Sequence, residues 1–458
     1  LLTLITGAVQ DRSARGIAAA VSRLITAGRL PAGIRLPTVR SVATELGVSP
    51  TTVSEAWRSL IHAGAIQTRG RSGTFVSGPL PPRERLRYAQ LGGANVALPR
   101  DLSTGVPDPA LLPDLSEALR RIGDGRWAGS YLDAPVLPEL EAVLRERWPY
   151  PPERLTVVDG AMDALDRIAG AVLRFGDHVL VENPAFAPLL DLLQALGATV
   201  VGVPMDGDGL DPVALRQALR DYRPVALFLQ PRAQNPTGTS MSGQRALVLA
   251  QILLEAPNVL VVEDDHAGDI ASSPQVSIGR HLPDRTVAVS SFSKSHGPDL
   301  RLAAVGGPAH VIDAVSDRRL LGPGWSSRLL QGVLLDLLTD PRVIAQVAGA
   351  RDTYAARRAA LLAVLDARGV QATAADGINL WMTVPDQQNA MVALAAHGVA
   401  AAPGAPFCVQ PLPDDHLRIT AGLVAGGYDD LAGVLAAAAN QASRGSGRRG
   451  QGHPHGWR

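Results

Sequence analysis

The sequence predicts an α/β protein in two parts, a small winged helix-turn-helix head and a larger body built on a doubly wound sheet. Three observations predict it. Two short capped helices joined by Gly47-Val48-Ser49 are followed by two short strand-like runs. Downstream, six apolar runs alternate with helical patterns, which argues for a sheet covered by helices on both faces. Between the two parts lies a Pro- and Gly-rich stretch of linker composition.

In the head, residues 1–77, Ile17, Val21, Leu24 and Ile25 recur at helical spacing before Gly28. Thr38 is placed to cap a helix carrying Val39, Val42, Ala43 and Leu46, closed by Gly47. Ser49 caps a second helix with Val53, Ala56, Trp57, Leu60 and Ile61 facing inward and Gly64 at its end. Ala65 to Thr68 and Gly73 to Val76 read as strands around Arg69-Gly70-Arg71-Ser72, a wing. This segment holds nine arginines and three acidic residues, a formal +6 against −6 for the rest of a chain of zero net charge. A basic head on an acidic body points to a polyanion as partner.

Residues 78–98 start with Gly78-Pro79-Leu80-Pro81-Pro82, a stiff extended segment, and end near Gly92-Gly93-Ala94-Asn95, a flexible one. The body, residues 99–440, carries strand-like runs at Thr156–Val158, His178–Val181, Thr199–Val203, Val225–Leu229, Val259–Val262 and Thr286–Val289. In such sheets ligands sit at the carboxyl ends of strands, where the chemically suggestive residues fall. The tail, residues 441–458, is Gly- and Arg-rich and is expected to be disordered.

Lys294 is the only lysine among 458 residues; the other 42 basic residues are arginines. A guanidinium, with a pKa above about 12, cannot lose its proton and attack a carbonyl. A primary amine can, and that is the chemistry an aldehyde cofactor requires. Pyridoxal phosphate would also need a carboxylate at its ring nitrogen, and Glu263-Asp264-Asp265 follows Val262. Asn235, in Asn235-Pro236-Thr237-Gly238, could meet the ring hydroxyl, and Phe186 could lie flat on the ring. Phosphate ligands would come from Gly160, Ala161 and Met162 at a helix start, from Ser291 and Ser293, and from Arg301.

The stretch from Leu30 through Arg35, Arg40, Leu46 and Val53 to Gly73-Thr74-Phe75-Val76 resembles the winged helix-turn-helix of the GntR regulators. With the ordered set in the body, the chain resembles the MocR subfamily of that family, whose body is a fold type I aminotransferase-like domain. Leu102-Ser103-Thr104-Gly105-Val106-Pro107-Asp108-Pro109 is similar to the opening of that body, and Ala402 to Phe407 with Leu417-Arg418-Ile419 to its smaller C-terminal α+β subdomain. The resemblance implies that Lys294 bonds covalently to pyridoxal 5'-phosphate, with Asp264 as pyridinium partner, Asn235 at the ring hydroxyl, Phe186 stacked and Arg301 on the phosphate. It implies that Arg418 clamps the carboxylate of an amino-acid effector, and that Tyr131 reaches the phosphate of a partner subunit in a homodimer. In the head it implies that Arg35, Thr38, Arg40, Ser49, Thr51, Thr52, Arg69 and Gly73 contact double-stranded DNA.

Pro50 stands where relatives often carry arginine. His266 replaces a tyrosine near the ring hydroxyl; a histidine could donate the same bond, but titrates near neutrality. Ala161 and Met162 replace polar residues facing the phosphate, Val136 a glycine, and Asp299 another. These departures argue against efficient turnover. The expected function is therefore a transcription regulator sensing pyridoxal phosphate, an amino compound, or both, rather than an enzyme. The alternatives are an active aminotransferase tethered to DNA by its head and a regulator without cofactor.

Composition excludes other classes. The single cysteine, Cys408, rules out a disulfide framework and fits a reducing cytosol. Leu1 to Ile5 is too short for a signal segment, and no apolar run approaches the ~20 residues of a membrane span. His62, His178, His281, His296, His310 and His397 show no metal-ligand spacing. A cytoplasmic protein is expected.

Overall fold

The computed structural model describes residues 1–62, 65–68, 73–76, 86–91, 98–123 and 133–440. The head opens with α1 (Leu2–Ala8) and α2 (Ala14–Thr26), followed by α3 (Val39–Leu46) and α4 (Pro50–His62). Ile5 is buried in the same core as Ile17, Val21, Val42, Leu46, Val53, Trp57 and Leu60, so the apolar start of the chain is a packed helix. Thr38 and Ser49 accept the amides of Ser41 and Thr52, and Gly47 closes α3 at φ 66°, a left-handed backbone that suits glycine. Ile61, expected inside, is 40% exposed. Val53, Ala56, Trp57 and Leu60 already fill the buried stripe of α4, and Ile61 lies about 100° further round.

The wing strands β1 (Ile66–Thr68) and β2 (Thr74–Val76) pair antiparallel, with Ile66 opposite Val76. The chain before α3 adds to β2: the Leu36 amide donates to Thr74 O and the Gly33 amide to Val76 O. The wing tip at 69–72 and Gly64 lie outside the described residues. One corner of the head meets the body, where Arg15 pairs with Asp177 at 2.9 Å and Phe175 packs against the head's core.

The joint is not plain linker: α5 (Arg87–Leu91) forms within it. Asp191 accepts the amides of Arg87 and Tyr88, satisfying donors that a helix start leaves free. Residues 77–85 and 92–97, and the tail 441–458, lie outside the description.

The body continues with β3 (Arg100–Asp101), α6 (Ser116–Gly123), α7 (Pro138–Glu146), β4 (Arg154–Val158), α8 (Ala161–Val172), β5 (His178–Asn183) and α9 (Ala187–Ala195). Then come β6 (Thr199–Asp206), β7 (Gly209–Leu210), α10 (Pro212–Tyr222), β8 (Ala226–Leu229), α11 (Gly243–Leu253), β9 (Leu260–Asp265) and β10 (Thr286–Ser291). The large domain ends with β11 (Ala303–Gly307), α12 (Ala309–Leu320) and α13 (Arg328–Thr339), and α14 (Pro341–Asp366) leads out of it. The C-terminal subdomain holds β12 (Ala372–Thr373), β13 (Leu380–Val384), α15 (Gln387–Ala396), β14 (Val399–Ala400), β15 (Ala402–Pro403), β16 (Asp415–Ile419) and α16 (Tyr428–Ala439).

The large sheet runs β4-β11-β10-β9-β8-β5-β6-β7. Its centre, from β10 to β6, is parallel. Both faces are covered. Val179, Val181, Phe228 and Val262 point to the side of α8, α9 and α12, whereas Leu180, Leu227, Leu229 and Val261 point to α10 and α11. Chain order reverses between β5 and β8, so a crevice opens at their carboxyl ends. The subdomain sheet β12-β13-β16-β15 packs on α14, α15 and α16. Among the described residues no helix is long and apolar enough to cross a membrane.

β11 has no counterpart in the apolar runs of the sequence. It inserts antiparallel between β4 and β10 and consists of small residues because its neighbours leave no room. A Cβ at Gly307 would lie 2.7 Å from Thr286 O and 3.0 Å from Val287 Cα, both backbone atoms. Gly307→Ala is expected to lower stability by roughly 1–3 kcal/mol in urea unfolding, the cost of overpacking. Gly349→Ala, inside α14 with nothing within 4 Å of the added carbon, should instead raise stability by about 0.5–1 kcal/mol.

Candidate functional site

The crevice collects residues from five strand ends and from the segment that opens the body. Lys294 follows β10, and its Nζ donates to Gly105 O. On the other side of Gly105 lies Arg418 from β16, whose guanidinium carbon would be 3.1 Å from a Cβ built there. Gly105 itself has φ 63°, so glycine is required on both counts.

Arg418 is 2% exposed. It donates to Asn235 Oδ1 at 3.1 Å and to Ser103 O, while its Nε has no partner. The ring of Phe407 lies beneath it, 5.1 Å from the guanidinium carbon. Among the described residues no carboxylate pairs with it. Burial lowers its pKa to about 10. Burial, with the nearby charge of Arg418 as a second cause, also lowers the Lys294 amine to about 8.

The pleat sorts the three consecutive carboxylates of β9. Glu263 accepts from Ser277 Oγ and the Ile278 amide, and Asp265 pairs with Arg232. Asp264 faces the crevice. Its Oδ2 accepts from Gln230 Nε2 at 2.7 Å, whereas its Oδ1 is buried without a partner. Burial raises its pKa to about 7. An orphaned buried acceptor costs about 1–3 kcal/mol, and a protonated ring nitrogen would supply the missing donor. Glu182, held by the Gln230 amide and Gln234, is pushed by burial to about 8.

At the other end of the crevice Gly160, at φ 100°, opens α8. A Cβ there would lie 2.9 Å from Arg301 Nη2, which itself donates to Asp159 O at 3.2 Å. The opening amides of α8, at Ala161 and Met162, have no acceptor within the helix and stand beside an exposed guanidinium, a fit for an anion. The Ala161 and Met162 side chains pack into the core. Ser291 and Ser293 follow at the end of β10, the Ser293 amide reaching Ser291 Oγ at 3.4 Å. Phe186, half-buried, is the residue before α9. The donor set thus fits a phosphorylated aldehyde with a basic ring nitrogen, which pyridoxal phosphate is.

His266 departs from expectation. One ring nitrogen, Nε2, lies 2.9 Å from Ala233 O, an acceptor, so Nε2 carries the proton and donates there. Burial and the charge of Lys294 lower its pKa to about 4. The ring therefore stays neutral through physiological pH, and its Nδ1 can only accept. It does not titrate near neutrality and has no second N–H for a ring hydroxyl. Asn235, assigned to that hydroxyl, offers its Oδ1 to Arg418, and its backbone N–H donates to Gln230 Oε1. Gln230, which joins Asp264 to Asn235, escaped the sequence reading, as did Phe407 as a floor for Arg418. The signal for Gln230 was available: a polar residue ends the apolar run Val225 to Leu229.

In the head, Gly73 and Arg35 adjoin: a Cβ at Gly73 would meet Arg35 Nε at 2.8 Å. Arg35, Arg40 and Thr51 are exposed. Thr38 and Ser49 serve as helix caps, and Thr52 Oγ1 is 2.8 Å from Ser49 Oγ. Arg69 and Tyr131 lie outside the described residues.

Two measurements test this geometry. Capture of pyridoxal phosphate by the full chain, followed as a visible band, should accelerate with pH and level off above about 8, where the Lys294 amine is already neutral. A rate still climbing tenfold per unit at pH 10 would place the amine at its ordinary value. Asp264→Asn keeps the shape but loses the charge, and should weaken pyridoxal phosphate binding about tenfold, or about 1.4 kcal/mol, in spectral titration.

Residues 100–435 match the aminotransferase class I and II family, and residues 13–76 match the gntR family of bacterial regulatory proteins. The vitamin B6 salvage pathway transcriptional repressor PtsJ of Salmonella typhimurium is 36% identical over 417 residues, 90% of this chain and 95% of that protein. The probable rhizopine catabolism regulatory protein MocR of Rhizobium meliloti is 27% identical over 375 residues, 74% of each. Among solved structures, the aspartate aminotransferase of Thermus thermophilus with maleate superposes with a TM-score of 0.66 at 26% identity, covering 75% of this chain and 92% of that one. The α-aminoadipate aminotransferase LysN from the same species, at 23% identity, has the same fold, with a TM-score of 0.67 over 77% of this chain and 97% of its own. The chain belongs to the class I and II aminotransferase family in its body and to the GntR family in its head, and as a whole is a transcriptional regulator of the MocR kind.

Proposed function

We propose that the chain is a cytoplasmic DNA-binding regulator whose body senses pyridoxal phosphate through Lys294 and a carboxylate-bearing amine through Arg418. The observation that carries the reading is the pairing of these two cations around Gly105, one an amine with its pKa lowered to about 8, the other a buried guanidinium without a carboxylate. When bound, the cofactor supplies an aldehyde that condenses with primary amines and a ring that draws electrons toward its protonated nitrogen. Lys294 would hold that aldehyde at the end of β10. Asp264 would keep the ring nitrogen protonated, Phe186 would cover the ring, and Gly160, Ser291, Ser293 and Arg301 would hold the phosphate. Arg418, whose Nε has no partner, would take the carboxylate of an amine brought to that aldehyde.

The names of two relatives support vitamin B6 as the sensed compound. PtsJ is one, and the pyridoxine biosynthesis regulator PdxR of Corynebacterium glutamicum, 29% identical over 303 residues, is the other. Sensing rather than turnover is favoured by the apolar Ala161 and Met162 beside the phosphate cradle and by the committed N–H of His266. A residual half-reaction is compatible with the intact lysine and carboxylate. Arg35, Arg40, Thr51 and Gly73, with Arg69, form the DNA-contacting face, and two heads in a homodimer read a two-part operator.

The deciding experiment is an absorbance spectrum of the full chain with added pyridoxal phosphate, beside that of Lys294→Ala, paired with operator binding by each. The wild type should show a visible band that borohydride abolishes, and Lys294→Ala should show none and lose the response of DNA binding to the cofactor. A band in neither protein would mean a regulator without cofactor. Sustained transamination of an amino donor would restore the tethered-enzyme reading.

A further inference from the structure

The short helix of the joint, α5, sits on the outer wall of the Arg418 site. Its Arg87 Nη1 donates to Pro406 O at 3.2 Å and to Cys408 O at 2.8 Å, the two carbonyls that flank Phe407. Leu91, 6% exposed, packs in one cluster with Phe407, Trp381 and Ala187. Phe407 is fully buried, and the Arg418 guanidinium carbon lies over its ring at 5.1 Å. Phe407 thus belongs both to the cluster that seats α5 and to the stack with the guanidinium assigned to an effector carboxylate. A second path reaches the same helix, because Asp191, which holds the Arg87 and Tyr88 amides, is on α9, the helix that Phe186 precedes.

We propose that α5 is the readout of Arg418 occupancy: a carboxylate on Arg418 shifts Phe407 and its flanking carbonyls, and so changes how firmly α5 is docked. This rests on the reading of Arg418 as a carboxylate clamp. In the arrangement described, the Arg418 donors serve Asn235 Oδ1 and Ser103 O. A guanidinium has five N–H donors, of which two serve those partners here; a carboxylate takes two more as parallel bonds and draws the guanidinium toward itself. The ring below follows, since the stack depends on its geometry and the surroundings are close-packed. The loop carrying Phe407 is tied to the large domain by the Ala185 amide on Phe407 O and by Asn183 Oδ1 on the Val409 amide, both 2.8 Å. Movement there is thus felt at the carbonyls Arg87 holds. A five-residue helix has no stability of its own, so α5 is either docked and formed or released and melted, a two-state element both sites can bias.

The test uses two stable probes that differ by one carboxylate, N-(5'-phosphopyridoxyl)-L-alanine and N-(5'-phosphopyridoxyl)ethylamine, each saturating the full-length chain. Hydrogen exchange is read at the Arg87 and Tyr88 amides, whose acceptor is Asp191. Their exchange rates should differ at least about fivefold between the two complexes, the lower end of ordinary coupling. By linkage, Arg87→Ala should change the ratio of the two Kd values by a similar factor although Arg87 touches neither probe. Equal exchange, or an unchanged ratio, with the carboxylate probe still bound more tightly, overturns this coupling and leaves the proposed function standing. A site that binds neither probe, or that does not prefer the carboxylate, overturns the role of Arg418 and this inference together. The exchange comparison is made on the wild type, so it decides even if Arg87→Ala does not fold.

Discussion

The crevice depends on a positive charge enclosed without a carboxylate beside it. Desolvating a guanidinium costs several kcal/mol after relaxation, and Arg418 recovers part of that from the dipoles of Ser103 and Asn235. The strain is shared. Lys294 is the group that can release its proton: burial drives it that way, and the charge of Arg418 adds to the effect. Burial is thus the larger cause of the amine's lowered pKa, and the cation that makes the site receptive to an anion adds to it. The fold enforces both by bringing β10, β16 and the segment at 103–105 to a single point from opposite ends of the body.

Much of this was legible in the sequence, because the determinants were local. The five parallel strands of the centre and the edge strand β4 announced themselves as apolar runs between helical patterns, and the caps at Thr38 and Ser49 with Gly47 between them are decided within a few residues. The residues proposed to face a cofactor could be ordered along the chain because most were read just after the carboxyl end of a strand. β11 was hidden because its identity is set by what surrounds it: glycines and alanines wedged against β10 and Trp148 carry no hydrophobic alternation. The run Glu263-Asp264-Asp265 announced a carboxylate, but only the pleat, with Ser277, Arg232 and Gln230 as partners, decides which one is left with a free oxygen.

Two other misreadings have the same origin in distant contacts. His266 was credited with a donor and a titration near neutrality. The carbonyl that takes its proton belongs to Ala233, 33 positions earlier, and the cation that lowers its pKa is Lys294. The joint read as linker because Arg87 to Leu91 has no periodicity of its own; its acceptors come from Asp191, Pro406 and Cys408, about 100 to 320 positions away. α1 likewise takes its order from the core of the head rather than from caps.

The enclosed lysine has a meaning for fidelity that goes beyond its reactivity. Aldehydes condense with any neutral amine they can reach, so a surface rich in lysine acts as a sponge for pyridoxal phosphate. Here 42 arginines take the place of such side chains and a single lysine remains, at the bottom of the crevice. No other lysine competes for the aldehyde, so the background of irrelevant adducts is low and each adduct is a countable event at one address. For the proposed sensor, that would be a gain in signal over noise.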